Sequence, residues 1–507
     1  MDIRDSTSEP NIENLDMALI VSPPSTDSRH RLLRRQAKAG VIRPLGYGLY
    51  TDDLNSPLER VSQRELLSIV SALVPSGLIS HRSALDSGIS YNGLVHLTGP
   101  VKRDFKLPGL TLKIIKGPGP LPADTKIPTA LPGGAAYRSA IPRALLENLQ
   151  NRRAVDRKAR PILGQEGVEG WLENFLSRHD ETALNRLRDQ ARAISEQLKW
   201  GEEFEKLDRL IGALLGTRKT SLKHPRAIAR AQGLPFDAER VDLFQTVSTY
   251  LNDSPPVVAP AQANADPALQ AFVESYFSNF IEGTEFELEE AHQIVMSATP
   301  LKYREDDSHD VIGTFNAIMI SGNKPLADTR EAFERQLLDW NAQVIFSRNS
   351  KNPGHWKERR NQAGNTVFVS PPLVLGTLAK GFELIAATPQ PEARAALAKF
   401  IISEIHPFTD GNGRVSRLLM NQILSAAGLT RIIIPTVFRE DYTLSLKALS
   451  NNANAEPYAR ILTRAARFSS LLDYSSQTRL FKQLEASNAL KDHSTDKLRL
   501  KDLERVH

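Results

Sequence analysis

The chain has no cysteine in 507 residues. That excludes disulfide bonds, a thiol nucleophile and cysteine-ligated zinc, and it is compatible with any compartment. Long apolar runs are also missing, and no stretch approaches the roughly twenty residues that a membrane span needs. The opening residues, MDIRDSTSEPNIENLD, are polar and acidic and do not resemble a secretory signal. A cytoplasmic protein with no membrane partner is the expectation. Charge of one sign is not in large excess: 64 Lys and Arg against 59 Asp and Glu leave a net charge of +5. That balance permits nucleic-acid binding without arguing for it. No internal repeat is present. The length leaves room for two to four domains, and 41% hydrophobic and 24% charged residues make an ordinary globular core.

What is there is concentrated in His406 to Arg417, HPFTDGNGRVSR. Before it, Glu392 to Glu404 carries apolar residues at helical spacing and ends ahead of Pro407. After it, Gly413 to Ala427 is a second helical pattern closed by Gly428. The Asp410-Gly411-Asn412-Gly413 segment between them lets the backbone turn tightly and a ligand approach the main chain. Free N–H groups and the positive dipole end of the second helix would hold an anion there. Arg414, Arg417 and Asn421 fall at i, i+3 and i+7, on one helix face. Two arginines beside an anion hole suit a polyphosphate better than a single carboxylate. Asp410 is placed to hold Mg²⁺, whose shell phosphate oxygens and waters would complete. His406, at the mouth of the loop, is of the residue type that takes a proton from an attacking hydroxyl.

This string resembles the core motif of the Fic family, HxFx(D/E)GNGRxxR, at every defined position. The resemblance implies a protein adenylyltransferase that moves AMP from ATP to a hydroxyl side chain of a target protein. It makes His406 the general base and Asp410 the ligand of Mg²⁺ or Mn²⁺. It gives Asn412 and the Gly411–Gly413 amides the α- and β-phosphates, Arg414 the β-phosphate and Arg417 the γ-phosphate. The nucleotide set is completed by Asn421 and by Tyr442, which resembles a tyrosine beside the family's adenine pocket and can equally serve the core. Glycine at 413, where a phosphorylating branch carries lysine, favours nucleotidyl transfer.

Upstream, Ser278 to Gly283 reads SNFIEG and resembles the family's inhibitory motif (S/T)xxxE(G/N). By that resemblance Ser278, Glu282 and Gly283 form an inhibitory helix end. Glu282 pairs with Arg417 and takes the place of the γ-phosphate. Asn352 to Pro372 carries a turn signal at Ala363-Gly364-Asn365 before the alternating run Thr366, Val367, Phe368 and Val369. The family has a target-docking β-hairpin flap here, led by PGxxR, and Lys357 stands where its arginine is expected. Trp356, Lys357 and Arg360 are candidates to contact target or nucleotide, and an ordinary surface hairpin is the other reading.

The expected fold is mainly α. A Fic-type helical bundle with a β-hairpin flap follows a small α+β winged-helix-like region and a helical connector. The expected organisation runs from a disordered N-terminus, 1–27, to a mixed α+β domain, 28–150, and a helical connector, 151–250. A Pro- and Ala-rich linker, 251–268, then leads to the Fic domain with its inhibitory helix, 269–475, and a helical tail for packing or dimerisation, 476–507. The stretch from Arg31 to Leu149 resembles the AbiEi-type antitoxin family, through the order of a basic helix, AGVIRPLGYGLY, ISHRSAL and AIPRALLENL. That resemblance implies DNA binding by a winged helix, with Arg31, Arg34, Arg35, Lys38 and Arg43 along phosphates. A solvated basic helix on a protein-interaction domain is the alternative. His81 reads as a capping or core histidine, since no partner ligands stand at metal spacing.

Three function classes follow: an AMP transferase autoinhibited by Glu282, a transferase of another phosphate-containing group, and a DNA-binding regulator or toxin–antitoxin fusion using the site as a nucleotide sensor. The expected partners are a protein presenting a Ser, Thr or Tyr hydroxyl, DNA through the N-terminal region, and a second copy of the chain.

Overall fold

The computed structural model describes residues 19–24, 27–86, 93–151, 160–492 and 496–503. Two units emerge, Met1–Ala231 and Gln232–His507. Among the described residues no helix is long and apolar enough to cross a membrane.

In the first unit, Leu49–Thr51 is the centre of a three-stranded antiparallel sheet between Ile20–Val21 and Arg43–Gly46. The strand at Ile20–Val21 corrects the expectation of a disordered 1–27. Residues 1–18 and 25–26 lie outside the described residues. The Ser28–Lys38 helix buries none of its residues, and Asp27 caps its N-terminus. A six-stranded mixed sheet follows, in the order 103–107, 110–116, 94–99, 78–79, 135–138 and 125–128. The strands Leu94–Gly99 and Leu110–Lys116 flank a basic stretch. The basic stretch between them is itself a strand, Arg103–Leu107, because Phe105 and Leu107 point inward while Arg103, Asp104 and Lys106 stay in water. Five helices from Ile141 to Ala231 close over a second core of Leu145, Leu172, Leu184, Leu207 and Ile211. Arg143 is wholly buried between Asp124 at 2.5 Å and Glu147 at 2.9 Å. Glu147 also accepts from the His81 N–H at 2.8 Å, and Ser80 Oγ lies 2.8 Å from His81 Nδ1, so His81 sits in the core.

The second unit begins ahead of the helix Ala238–Asp253, so the expected 151–250 connector is two things: its first part belongs to the first unit and its last helix to the second. Residues 152–159 of that connector lie outside the described residues. Phe244, Val247 and Leu251 of this helix are buried in the large core. The segment 251–268 is no free linker. The Val257 N–H donates to Thr463 Oγ1, Pro260 bridges to Leu429, and Gln262 donates to the Ser470 and Leu472 carbonyls. At the centre, Pro391–Ile405 packs along Asn412–Ala426, and both are buried nearly all round, polar residues such as Lys399, Glu404, Arg414 and Asn421 included. The tail helix Gln477–Ala486 buries Leu480, Phe481 and Leu484 against a cluster containing Phe272 and Tyr276. It is therefore packed on its own unit. Residues 493–495 and 504–507 of the expected tail lie outside the described residues.

Candidate active site

The loop between the two central helices is built by its own side chains. Helix Pro391–Ile405 stops at His406, whose φ of 53° lies in the left-handed region, and Pro407 follows. Gly411 has a φ of 79° and caps the next helix. A Cβ on Gly411 would stand 3.1 Å from Asn341 Nδ2 and from Ile345, so glycine meets both the angle and the space. Asn341 donates to the Asp410 carbonyl at 2.8 Å and supports the loop from below. The N-terminal N–H groups of helix Asn412–Ala426 have no intrahelical carbonyl partner, as at any helix start.

His406 carries a neutral imidazole. Burial pushes its imidazole down to about 4, with Lys357 helping and the Ser403 carbonyl, Glu282 and Asp410 opposing. Its Nδ1 lies 3.3 Å from the Ser403 carbonyl, which can only accept, so Nδ1 carries the proton and Nε2 is the basic nitrogen. The Phe368 ring stacks on the imidazole at 3.9 Å with 5° between planes.

Arg417 is buried and donates from Nε to Ser278 Oγ at 3.0 Å and from Nη2 to the Ser278 carbonyl at 2.8 Å. The same Nη2 meets Glu282 Oε1 at 2.7 Å. Glu282 caps the C-terminus of helix Pro267–Ile281, and Gly283 turns away with a φ of 97°. Burial raises the Glu282 carboxyl, but Arg417, Arg414 and His406 overcome that and hold it below the usual carboxylate range. A Cβ placed on Gly413 would overlap Glu282 Oε1. The carboxylate therefore lies on the main chain at the start of helix Asn412–Ala426, with Arg417 as its partner. Arg414 is oriented by Asp310 at 2.7 Å and lies 3.6 Å from Asp410. Arg348 in turn donates to both oxygens of Asp310 at 3.0 Å.

A cleft of about 270 Å³ joins Gly413, Arg417 and Glu282 to His406, Phe368 and Tyr442. Tyr442 is buried beside Arg417 and also lines the cleft, so it serves core and site together. The buried Lys399 amine stands 4.5 Å from its ring centroid, and burial holds that amine well below its ordinary range. Thr443, Leu446 and Ser450 continue this wall at i, i+3 and i+7, a stripe that sequence reasoning passed over. Asp310 and Lys399 were also missed, because nothing in their local spacing marks them.

Several expectations are corrected. Asn421 does not reach the cleft: it donates to the Ile432 carbonyl at 3.0 Å and accepts from the Ile432 N–H at 2.7 Å. The Asn412 side chain is likewise committed, accepting from the Phe408 N–H at 2.8 Å and donating to its carbonyl at 2.9 Å. Only its main chain is left for phosphate. The hairpin strands pair Gln362–Ala363 with Thr366–Val367. The Phe368 ring stacks on His406, the Phe368 N–H donates to the Asn361 carbonyl at 3.3 Å, and the Val369 side chain is core. Lys357 is buried, Trp356 stacks on Phe408 at 5.2 Å, and Arg360 is exposed.

Among the described residues no group of three His, Cys, Asp or Glu side chains could hold a metal by itself. Asp410 accepts from the Gly411 N–H at 2.7 Å, and its side chain keeps 35% of its surface. One part-exposed carboxylate beside an anion hole fits a cation that shares its shell with phosphate and water.

Residues 332–424 match the model of the Fic/DOC family. The protein adenylyltransferase Fic of Drosophila willistoni is 30% identical over 251 residues, 47% of this chain and 49% of that protein. The protein of the same description from Drosophila melanogaster is 32% identical over 197 residues, 38% of this chain and 39% of that one. The chain thus spans about half or less of the length of the curated relatives it matches. Among solved structures, a Fic-domain-containing signaling protein from Bacteroides thetaiotaomicron aligns with a TM-score of 0.34 at 19% identity, covering 45% of this chain and 95% of that one. Fic-1 from C. elegans aligns with a TM-score of 0.35 at 19% identity, covering 64% of this chain and 98% of that one. The motif loop and nearly all of both central helices lie inside the stretch that matches the Fic/DOC family model.

Proposed function

We propose that the chain is a protein adenylyltransferase held in check by Glu282. The observation that carries this reading is the Glu282 carboxylate, bound to Arg417 at 2.7 Å over the start of the anion-binding helix. A carboxylate there imitates a phosphate. With Glu282 withdrawn, the polyphosphate of ATP lies on the Asn412 and Gly413 main chain, with Arg414 and Arg417 on its outer oxygens. Asp410 would hold Mg²⁺ or Mn²⁺, which supplies charge neutralisation on the leaving pyrophosphate. His406 Nε2 takes the proton of a Ser, Thr or Tyr hydroxyl on the target. The hydroxyl oxygen bonds to the α-phosphorus as the α–β bridge breaks. Pyrophosphate leaves, and AMP stays on the protein. The Thr366–Val367 strand would align the target segment through its outer edge, where the Val367 carbonyl already accepts from Arg240 at 2.8 Å.

ATP labelling of cell lysate by four proteins tests it: wild type, Glu282→Gly, Arg417→Ala and the double variant. Each ~1.4 kcal/mol of relieved competition is about tenfold in occupancy. Glu282→Gly should therefore label roughly ten- to a hundredfold faster, and the double variant should fall back toward wild type. No acceleration in Glu282→Gly removes the autoinhibition. A mass gain on the target other than that of AMP removes adenylyl transfer.

DNA binding by the first unit is a second proposal, favoured by the exposed Ser28–Lys38 helix with Arg29, Arg31, Arg34, Arg35 and Lys38. Retention of duplex DNA that falls steeply with salt supports it, and unchanged migration at low salt removes it.

A further inference from the structure

We propose that Lys357 and Asn361 are positioning residues that hold the base, His406, in register with the anion loop. The proposal rests on the reading of His406 as the proton acceptor and adds what keeps it in place.

A helix end leaves carbonyls without partners, and His406 ends its helix in a left-handed conformation that a side-chain-bearing residue adopts only when its surroundings impose it. Four successive carbonyls there are taken up by this one pair. Lys357 Nζ donates to the Ile405 carbonyl at 3.2 Å, and the Lys357 N–H donates to the Pro407 carbonyl at 2.9 Å. Asn361 Nδ2 donates to the His406 carbonyl at 3.3 Å and the Phe408 carbonyl at 3.0 Å. The two side chains are joined to each other, Lys357 Nζ to Asn361 Oδ1 at 2.7 Å. The ring is reached from the same place: the Asn361 carbonyl accepts from the Phe368 N–H at 3.3 Å, and the Phe368 ring lies flat on the imidazole. One bracket thus fixes both the main chain and the ring plane of His406.

Lys357 is 4% exposed, and burial alone pushes its amine down to about 7. A lysine buried this way is poorly suited to meet a target or a nucleotide in water. Its donors are instead spent on the negative end of a helix. The bracket comes from the root of the flap, so flap and base move as one piece.

The test uses the full chain carrying Glu282→Gly, with Lys357→Met, Lys357→Arg, Asn361→Ala and the Met/Ala double variant added. AMP transfer rate, ATP affinity by calorimetry and the ¹⁵N signals of the His406 ring (assigned by their loss in His406→Ala) are measured on each. Misplacing a base by about 1 Å costs on the order of a hundredfold in rate. Lys357→Met and Asn361→Ala should lose about 10- to 100-fold in kcat while the Kd for ATP stays within about twofold. The double variant should be no worse than the poorer single one, because the two act as a unit. Lys357→Arg, which keeps the cationic donors, should recover most of the rate. The ring should leave its single Nδ1–H tautomer in the Met and Ala variants. Unchanged kcat, a loss of ATP affinity equal to the loss of rate, or unchanged ring signals each overturns the bracket. If Lys357→Met does not fold, Asn361→Ala decides alone. Should the Glu282→Gly parent transfer no AMP, the transferase reading fails, and the ring signals still decide the bracket.

Discussion

At the residue scale, chemistry was written into spacing wherever partners are neighbours on one helix or loop. His406, Asp410, Arg414 and Arg417 could be assigned because twelve consecutive residues bring them together. Asp310, which holds Arg414, and Lys357, which holds the His406 loop, lie on other elements, so only folding shows the pairing. Environment was equally hidden. A histidine titrates near 6.5 in water, and burial here takes His406 to about 4. A depressed histidine is stabilising as the neutral form above 6.5, and that contribution is lost as the pH falls from 6.5 through about 4. The catalytic consequence has the same sign, since the base is ready throughout that window. In the Glu282→Gly chain the acid limb of the kcat profile should therefore fall near pH 4 to 5. A limb centred near 6.5, measured at saturating ATP, would show that the imidazole is solvated in the working enzyme.

At the element scale, periodicity located the two central helices to within a residue and the inhibitory helix by its end, because caps and glycines punctuate them. It could not tell a ligand-facing amide from a structural one. Asn421 shares a helical face with the arginines, and that pattern suggested a nucleotide contact. Two turns down the helix the face has passed beneath the loop, where the Ile432 main chain needs a donor and an acceptor. The two roles separate cleanly by experiment. Asn421→Ala strands a buried N–H and a buried carbonyl, so about 2 to 5 kcal/mol of stability should go. ATP affinity of the folded protein should stay within about twofold. A tenfold weaker Kd with an unchanged melting temperature would return Asn421 to the nucleotide. The hairpin teaches the same lesson in reverse. Alternation from Thr366 to Val369 reads as one strand, yet the strand ends at Val367: only the Phe368 N–H still reaches back across the hairpin, while its ring lies on His406 and Val369 turns into the core.

At the scale of the whole molecule, composition gave the right class but the wrong seams. Proline and alanine between 251 and 268 looked like a linker, whereas the chain there is strapped to the Fic-domain helices by main-chain and side-chain bonds. The real division falls at 231/232, in a stretch that composition does not mark. Its significance lies in which residues close each core. The clusters built around Leu397 and Phe272 draw every buried member from beyond residue 232, and those around Leu97 and Leu172 draw theirs from before 231. A unit that buries its apolar surface with its own residues can fold alone. The fragment 232–507 should therefore melt in a single cooperative transition. Carrying Glu282→Gly, it should label target protein within about threefold of the full chain, because His406, Arg417, Glu282, Lys357 and the flap all lie inside it. The fragment 269–507, cut at the boundary that composition suggested, lacks Phe244, Val247 and Leu251 and the Arg240 ion pair to Glu404. Removing three buried side chains at roughly 2 to 5 kcal/mol each is as large as the whole stability of an ordinary domain, so this shorter piece should fail to melt cooperatively. A stable, active 269–507 would place the seam back at the proline-rich segment, and an inactive but folded 232–507 would mean that the first unit supplies something the cleft requires.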